Sequence, residues 1–227
     1  MRFARAEVNG ALTYGILHTD GRLYDLPAAL DAAAKIRGSA GFRAPQGMVE
    51  AALGGNALAD AFSAAVRELA GVGLLDRYAL PAGAPLRAPL TRPNRVLAIG
   101  RNYAEHAQEL GNTVGEEPIV FLKASQCVIG PGGPIVVPDW VGRVDYEAEL
   151  LVVLGKGGRD VPESEAMGLV AGYTVFNDVT ARDVQKGLQA KKHPWFLGKS
   201  MDTFGPMGPY LVTADEVPDP HALGVRL

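Results

Sequence analysis

The stretch that most constrains the fold runs from Asp145 to Leu154 and reads D-Y-E-A-E-L-L-V-V-L. Its alternation has the period of two that a half-buried β-strand requires. Tyr146, Ala148, Leu150, Val152 and Leu154 fall on one face, and Glu147, Glu149, Leu151 and Val153 on the other. Two carboxylates therefore leave one face from neighbouring positions beside apolar residues. Anions placed this way repel and lose hydration unless something balances them. A bound divalent cation is one solution, because carboxylate oxygens are the hard ligands it takes, at about 2.0–2.1 Å for magnesium. A strand whose outer face is simply wet is the other.

The rest of the chain reads as short strands between turns, as its 28 glycines and 16 prolines suggest. Asn9-Gly10 and Asp20-Gly21 are hairpin dipeptides, and they predict strands near 2–8, 11–18 and 22–26. Leu58, Ala61, Phe62, Ala65, Val66 and Leu69 follow helical spacing, which predicts a packing helix over 57–69. Between residues 80 and 95, Pro81, Pro85, Pro89 and Pro93 recur every fourth position, an ordered linker. The division expected is a small N-terminal domain over 1–80, a linker over 81–94 and a second domain over 95–227.

That second domain opens with a strand at 95–99. Asn102 and Glu105 then form a capping box for a helix on which His106 and Glu109 stand at i and i+3. A carboxylate beside an imidazole fixes its tautomer and raises its basicity, which is half of a general-base device. Residues 118–123 read as a strand ending in Lys123, 135–137 as a short strand, 163–167 as a short helix, and 170–178 as a strand ending in Asp178. Asp178 has two readings: a cap for the helix that follows, or a third carboxylate for the cation. Thr180 with Asp183 offers an alternative cap. Residues 189–195 read as a polar loop, and Lys199 follows in an apolar, glycine-containing setting.

The net charge of −3, without a basic run or an aromatic platform, argues against nucleic acid as a partner. No apolar run reaches the length of a membrane span, and the first ten residues lack the apolar segment of a signal peptide. One cysteine, Cys127, forms no internal disulfide and reads as a small buried hydrophobe. A cytoplasmic location is the expectation.

Five ordered blocks carry a resemblance: G-R-N-Y-A-E-H-A-Q-E, F-L-K-A-S, D-Y-E-A-E-L, N-D-V-T-A-R-D-V-Q and P-W-F-L-G-K-S-M-D-T. Together, in this order, they resemble the fumarylacetoacetate hydrolase superfamily, in its acylpyruvase-like and 2-hydroxyhepta-2,4-diene-1,7-dioate isomerase-like members. The resemblance implies an α+β chain with a small N-terminal α/β domain, then a mixed β-sandwich or β-roll domain. It implies a divalent metal, Mg2+ or else Mn2+ or Ca2+, on Glu147, Glu149 and Asp178. It implies that His106 and Glu109 act on a water and that Lys199 contacts the substrate. Arg101, Tyr103, Lys123, Arg182, Gln185 and Thr203 fall on matching substrate-binding positions. It also implies a small keto acid as substrate and a homodimer. The family fold continues beyond the last residue here, so 222–227 read as half of a hairpin and the fold as C-terminally incomplete. The activity implied is hydrolysis of a carbon–carbon bond in an acylpyruvate or fumarylacetoacetate-like diketo acid through a metal-stabilised enolate. Isomerisation or decarboxylation of 2-oxo or 2-hydroxydienoic diacids, oxaloacetate included, is the alternative. A truncated metal-binding homologue without catalysis is the third.

Overall fold

The computed structural model describes residues 1–38, 41–100 and 117–226. It separates into two compact units. The first comprises residues 1–89, 149–176 and 207–226, and the second 90–148 and 177–206. The boundary at residues 89–90 falls in the proline segment, and two later stretches of chain, 149–176 and 207–226, group with the first 89 residues.

The first unit is a seven-stranded sheet covered by helices. Strands β1 (Arg2–Val8), β2 (Ala11–Leu17) and β3 (Leu23–Asp25) form an antiparallel meander. Asn9 and Gly10 both take positive φ in its first turn (52° and 77°), the geometry that the Asn-Gly dipeptide favours. The linker segment is not featureless, since β4 (Leu86–Arg87) pairs with β1. Helix α1 (Leu26–Arg37) was not anticipated. Asp25 caps it by accepting from the Ala28 N–H at 2.9 Å, and Gly38 closes it in the left-handed conformation at φ 66°. Helices α2 (Met48–Leu53) and α3 (Gly55–Gly71) follow, and α3 extends the expected 57–69 helix by two residues at each end. Leu26, Ala29, Leu30 and Ala33 of α1, with Leu58, Phe62, Ala65 and Leu69 of α3, are buried. Small alanines on one helix allow the larger side chains of the other to approach closely.

The second unit supplies strands β5 (Val96–Gly100), β6 (Ile119–Lys123), β7 (Val128–Ile129) and β8 (Val144–Asp145). β5 and β6 pair antiparallel, Val96 opposite Lys123. The strand expected to be continuous over 145–154 is broken. Asp145 ends β8, Tyr146 and Glu147 lie outside any ladder, and β9 (Ala148–Leu154) starts afresh. Alternation persists through such a break, so the pattern alone does not reveal it. The expected strand at 135–137 is also absent; the Val136 N–H donates instead to Thr203 Oγ1 at 2.8 Å.

The first unit's sheet is completed by β9, β10 (Val170–Asn177) and, after the second unit's β11 (Thr180–Ala181) and β12 (Gly205–Pro206), by β13 (Leu211–Thr213). The strand order is β3-β2-β1-β13-β10-β9. β13 is antiparallel to both neighbours, with Phe3 opposite Leu211 and Tyr173 opposite Val212. A Cβ at Gly172 would stand 2.1 Å from the Val212 carbonyl oxygen, so only glycine allows β10 to approach β13 this closely. Residues 163–166 form the short helix expected near there, whereas 223–226 form no strand.

In the second unit β11 pairs antiparallel with β8, Thr180 opposite Asp145. Cys127, Val141, Val179, Ala181 and Phe204 make its buried core. Helix α4 (Arg182–Ala190) starts from Ala181 without a side-chain cap. Asp178 is therefore not its cap, and Thr180 uses its hydroxyl to donate to the Asp178 carbonyl at 2.9 Å. Asp183 accepts from the Arg143 N–H at 2.9 Å. No described helix is long and apolar enough to cross a membrane.

Candidate active site

The second unit's candidate site residues lie where a loop, a strand end and two helical segments meet. Glu147 sits in the break between β8 and β9. Its N–H donates to Asn177 Oδ1 at 3.0 Å and its carbonyl accepts from the Asp178 N–H at 2.8 Å. These two bonds set the Glu147 and Asp178 backbones side by side. Lys199 ends a single helical turn (Phe196–Lys199) that packs on α4. Gly198 suits that contact, because a Cβ there would lie a tight 3.2 Å from the Gln185 Cα and N. Lys123 enters from the end of β6.

The side chains form one chain of alternating charge. Arg143 Nε contacts Asp145 Oδ1 at 2.7 Å, and Arg182 Nε contacts Asp145 Oδ2 at 2.7 Å. Arg182 Nη2 reaches Glu147 Oε1 in a short contact, while its Nη1 donates to Gln185 Oε1 at 2.6 Å. Lys199 Nζ then bridges Glu147 Oε2 at 2.7 Å and Asp178 Oδ2 at 2.6 Å. Lys123 Nζ lies 2.7 Å from Asp178 Oδ1, an ion pair whose alignment falls short of a hydrogen bond. Side-chain exposure falls from 66% at Arg143 to 16% at Arg182 and Glu147, 6% at Asp178, 3% at Lys199 and 0% at Lys123. The chain of charges thus leads from solvent to the interior, where unpaired charge is most costly.

Among the described residues, four cations and three anions take part, an excess of one positive charge. A site of this sign suits an anionic ligand. Burial alone raises the Asp145 carboxyl, but hydrogen bonds from Arg143 and Arg182 overcome it and hold the group below 3.8. For Arg182 burial works against the charge, and its bonds to Asp145 and Glu147 raise it nonetheless. Burial drives the Lys123 ammonium below its usual range, with Asp178 pulling it back in part. The Phe121 ring lies beside this cluster, its centroid 5.1 Å from Lys199 Nζ and 5.5 Å from the Trp195 ring.

Of the residues expected from sequence, Glu147, Asp178, Lys199, Lys123, Arg182 and Gln185 come together in this cluster. Thr203 takes positive φ (71°) and accepts from Val136, with no contact to the cluster described. Glu149 is half-buried in the part of β9 that belongs to the first unit. His106, Glu109, Arg101 and Tyr103 lie outside the described residues. Among the described residues no three acidic, histidine or cysteine side chains are grouped to hold a metal ion. Glu147 and Asp178 nevertheless each direct one oxygen to a single point, now taken by the Lys199 ammonium, and Asp178 keeps a buried oxygen without an aligned donor. Converging hard oxygens of this kind fit a divalent cation. Sequence reasoning passed over Arg143 and Asp145. Their signal was the D-Y-E spacing itself, which places Asp145 two residues before Glu147 and within reach of the same arginine.

The profile of the fumarylacetoacetate (FAA) hydrolase C-terminal region matches residues 95–227. A mitochondrial oxaloacetate tautomerase of Xenopus laevis is 48% identical over 141 residues, covering 62% of this chain and 44% of that protein. The chain spans about half the length of the curated relatives it matches. Among solved structures, a fumarylacetoacetate hydrolase from Exiguobacterium antarcticum superposes with a TM-score of 0.65 at 30% identity, covering 95% of this chain and 67% of that one. Fumarylpyruvate hydrolase from Pseudomonas aeruginosa, in complex with Mn2+ and pyruvate, matches at 39% identity with a TM-score of 0.50 over 56% of each chain. With more than half of its length under the family profile and an α+β fold shared with these structures, the chain belongs to the fumarylacetoacetate hydrolase family.

Proposed function

We propose that this chain catalyses keto–enol chemistry on a 2-oxo diacid of the oxaloacetate type, with a divalent cation as cofactor and a second copy of the chain as partner. The observation that carries this reading is the Lys199 ammonium, buried between Glu147 Oε2 and Asp178 Oδ2 in a cluster of net positive charge. The 48% identity to an oxaloacetate tautomerase supports the substrate class.

Glu147 and Asp178, with Glu149 by the family pattern, would hold the cation. Bound there, a divalent ion supplies Lewis-acid polarisation of adjacent keto and carboxylate oxygens. The protein's own residues do the remaining work. Lys199 Nζ, which a bound cation would displace from between the two acids, carries a proton beside them. It can give that proton to the enol carbon and recover one from the enol hydroxyl, so that the protein ends as it began. Arg182 holds Glu147 in place and adds positive charge for a substrate carboxylate. Phe121 and Trp195 form an apolar wall beside Lys199 that excludes water, strengthening each charge interaction within.

A second reading is hydrolysis of a carbon–carbon bond in an acylpyruvate or fumarylacetoacetate-like diketo acid. The likeness to fumarylpyruvate hydrolase favours it. It adds one requirement, a water activated by His106 and Glu109. The test uses the full chain with MgCl2 or MnCl2. The decay of enol-oxaloacetate is followed by absorbance, and pyruvate and carbon dioxide are assayed after incubation with acetylpyruvate, fumarylpyruvate and oxaloacetate. The proposal expects metal-dependent ketonisation that survives His106→Ala. Pyruvate release abolished by His106→Ala, without ketonisation, overturns it in favour of the hydrolase. Carbon dioxide release alone favours the decarboxylase, and metal binding without turnover favours a non-catalytic homologue.

A further inference from the structure

Lys123 falls on a substrate-binding position by resemblance, yet its surroundings are not those of a group that meets a ligand. Its side chain is 0% exposed. Besides Asp178 Oδ1 at 2.7 Å, its ammonium donates to the Val179 carbonyl at 3.3 Å and, in a short contact, to the Lys199 carbonyl. These three acceptors, one held as an ion pair and two as hydrogen bonds, belong to the two segments that carry the proposed reacting side chains. One bears Asp178 and the other is the turn ending at Lys199. The neighbouring Ala124 N–H donates to Ser200 Oγ at 3.0 Å, tying the same turn to the end of β6 a second time. Asp178 is consequently gripped from both sides, with Lys123 on Oδ1 and Lys199 on Oδ2.

We propose that Lys123 is a positioning residue: a buried counter-charge that fixes the Asp178 carboxylate and the Lys199 turn relative to each other, and that touches no substrate. The geometry separates two lysines that composition cannot tell apart. Lys199 bridges two carboxylates beside the aromatic wall, whereas Lys123 stands behind Asp178 and is bonded to main chain. The role in metal affinity rests on the proposed function; the coupling between Lys123 and Asp178 does not. A neutral residue at 123 leaves Asp178 with an unbalanced buried oxygen and frees it to turn. Outer partners that orient a metal-ligating carboxylate act in this way, and losing one typically weakens metal affinity about 10- to 100-fold.

The test uses the full chain as Lys123→Met, Lys123→Arg, Asp178→Asn and the double Lys123→Met/Asp178→Asn. Thermal unfolding in EDTA completes a double-mutant cycle, and Mn2+ affinity is read by calorimetry. The proposal expects Lys123→Met to lower the unfolding midpoint and the double variant to recover part of that loss, because it leaves no unpaired charge. If Lys123→Met does not accumulate as folded protein while the double variant does, the charge lock is equally supported. It further expects Mn2+ binding to weaken about tenfold or more in Lys123→Met, with kcat falling and KM for the keto acid nearly unchanged, and partial recovery in Lys123→Arg. Additive effects on the midpoint overturn the proposal. So does a rise in KM that accounts for the whole loss of kcat/KM while Mn2+ affinity stays as in the wild type. A wild-type chain that binds no Mn2+ refutes the functional reading, and the cycle then still decides the Lys123–Asp178 coupling.

Discussion

Replacing Lys199 by methionine tests the heart of the cluster. The substitution keeps the length and apolar volume of the side chain and deletes its charge. Lys199 is 3% exposed, and its two partners, Glu147 and Asp178, are 16% and 6% exposed, so solvent screens these contacts weakly. Removing one member of a buried ionic group leaves uncompensated charge, at a cost of about 3–5 kcal/mol. For a chain of this size each kcal/mol moves the unfolding midpoint by about 2–4 °C, so the expected drop is about 6–20 °C. Urea unfolding in EDTA measures the free energy, and scanning calorimetry checks the midpoint. The reasoning makes a second demand. Without the ammonium, a divalent cation no longer has to displace it, so Mn2+ should stabilise the variant more than the wild type. At about 100 times the dissociation constant, binding to the folded state alone contributes about 2.7 kcal/mol. A loss below about 0.5 kcal/mol in EDTA, the scale of an ordinary surface substitution, would show that Lys199 does not hold the two acids together. Equal responses of variant and wild type to Mn2+ would separate the ammonium from the cation site.

Three other perturbations probe what surrounds it. Asp145 is held below 3.8 in the folded chain, so its contribution to stability is present above about pH 4 and is lost as pH falls through the lowered value; Arg182→Met should flatten that acid dependence in urea unfolding, and an unchanged profile would discount the Arg182 contact. Phe204→Ala empties the second unit's core beside Cys127 and Val179 and should cost about 3–5 kcal/mol by the same measurement. Gly172→Ala drives a methyl group against the Val212 carbonyl, so it should destabilise the chain by about 1–3 kcal/mol or more and speed amide exchange in β10 and β13, whereas wild-type exchange there would contradict the close approach.

The parts of the fold legible in the sequence were those set by neighbours along the chain. Asn9-Gly10 and Asp20-Gly21 located the three opening strands to within a residue or two, because a two-residue turn leaves little freedom. Helix α1 was equally available, since Asp25 before Leu26-Pro27 and Gly38 at the other end are start and stop signals. Its run of alanines gave no contrast between faces, and contrast is what periodicity reads. The break at Tyr146 and Glu147 was hidden for the opposite reason, because the alternation there continues undisturbed. At the site, acid and base types were legible as single residues, but their partners were not. Nothing local distinguishes Lys199 from Lys123; the distinction is made by which segments fold over each ammonium. Arg143 and Asp145 joined the cluster through the pairing of β8 with β11, a contact across more than thirty residues.

One such distant pairing has a consequence for how the chain is made. Strand β13 lies between β1 and β10, joining residues 2–3 to 211–212. As the polypeptide leaves the ribosome, the meander emerges well before residues 211–212 and must wait for its neighbour to arrive. Until then the hydrogen-bonding groups of Arg2 and Phe3 that face β13 stay open to other extended segments. High contact order of this kind slows folding and exposes intermediates to aggregation. Loss of residues 211–213 would remove β13 altogether and leave that vacancy permanent.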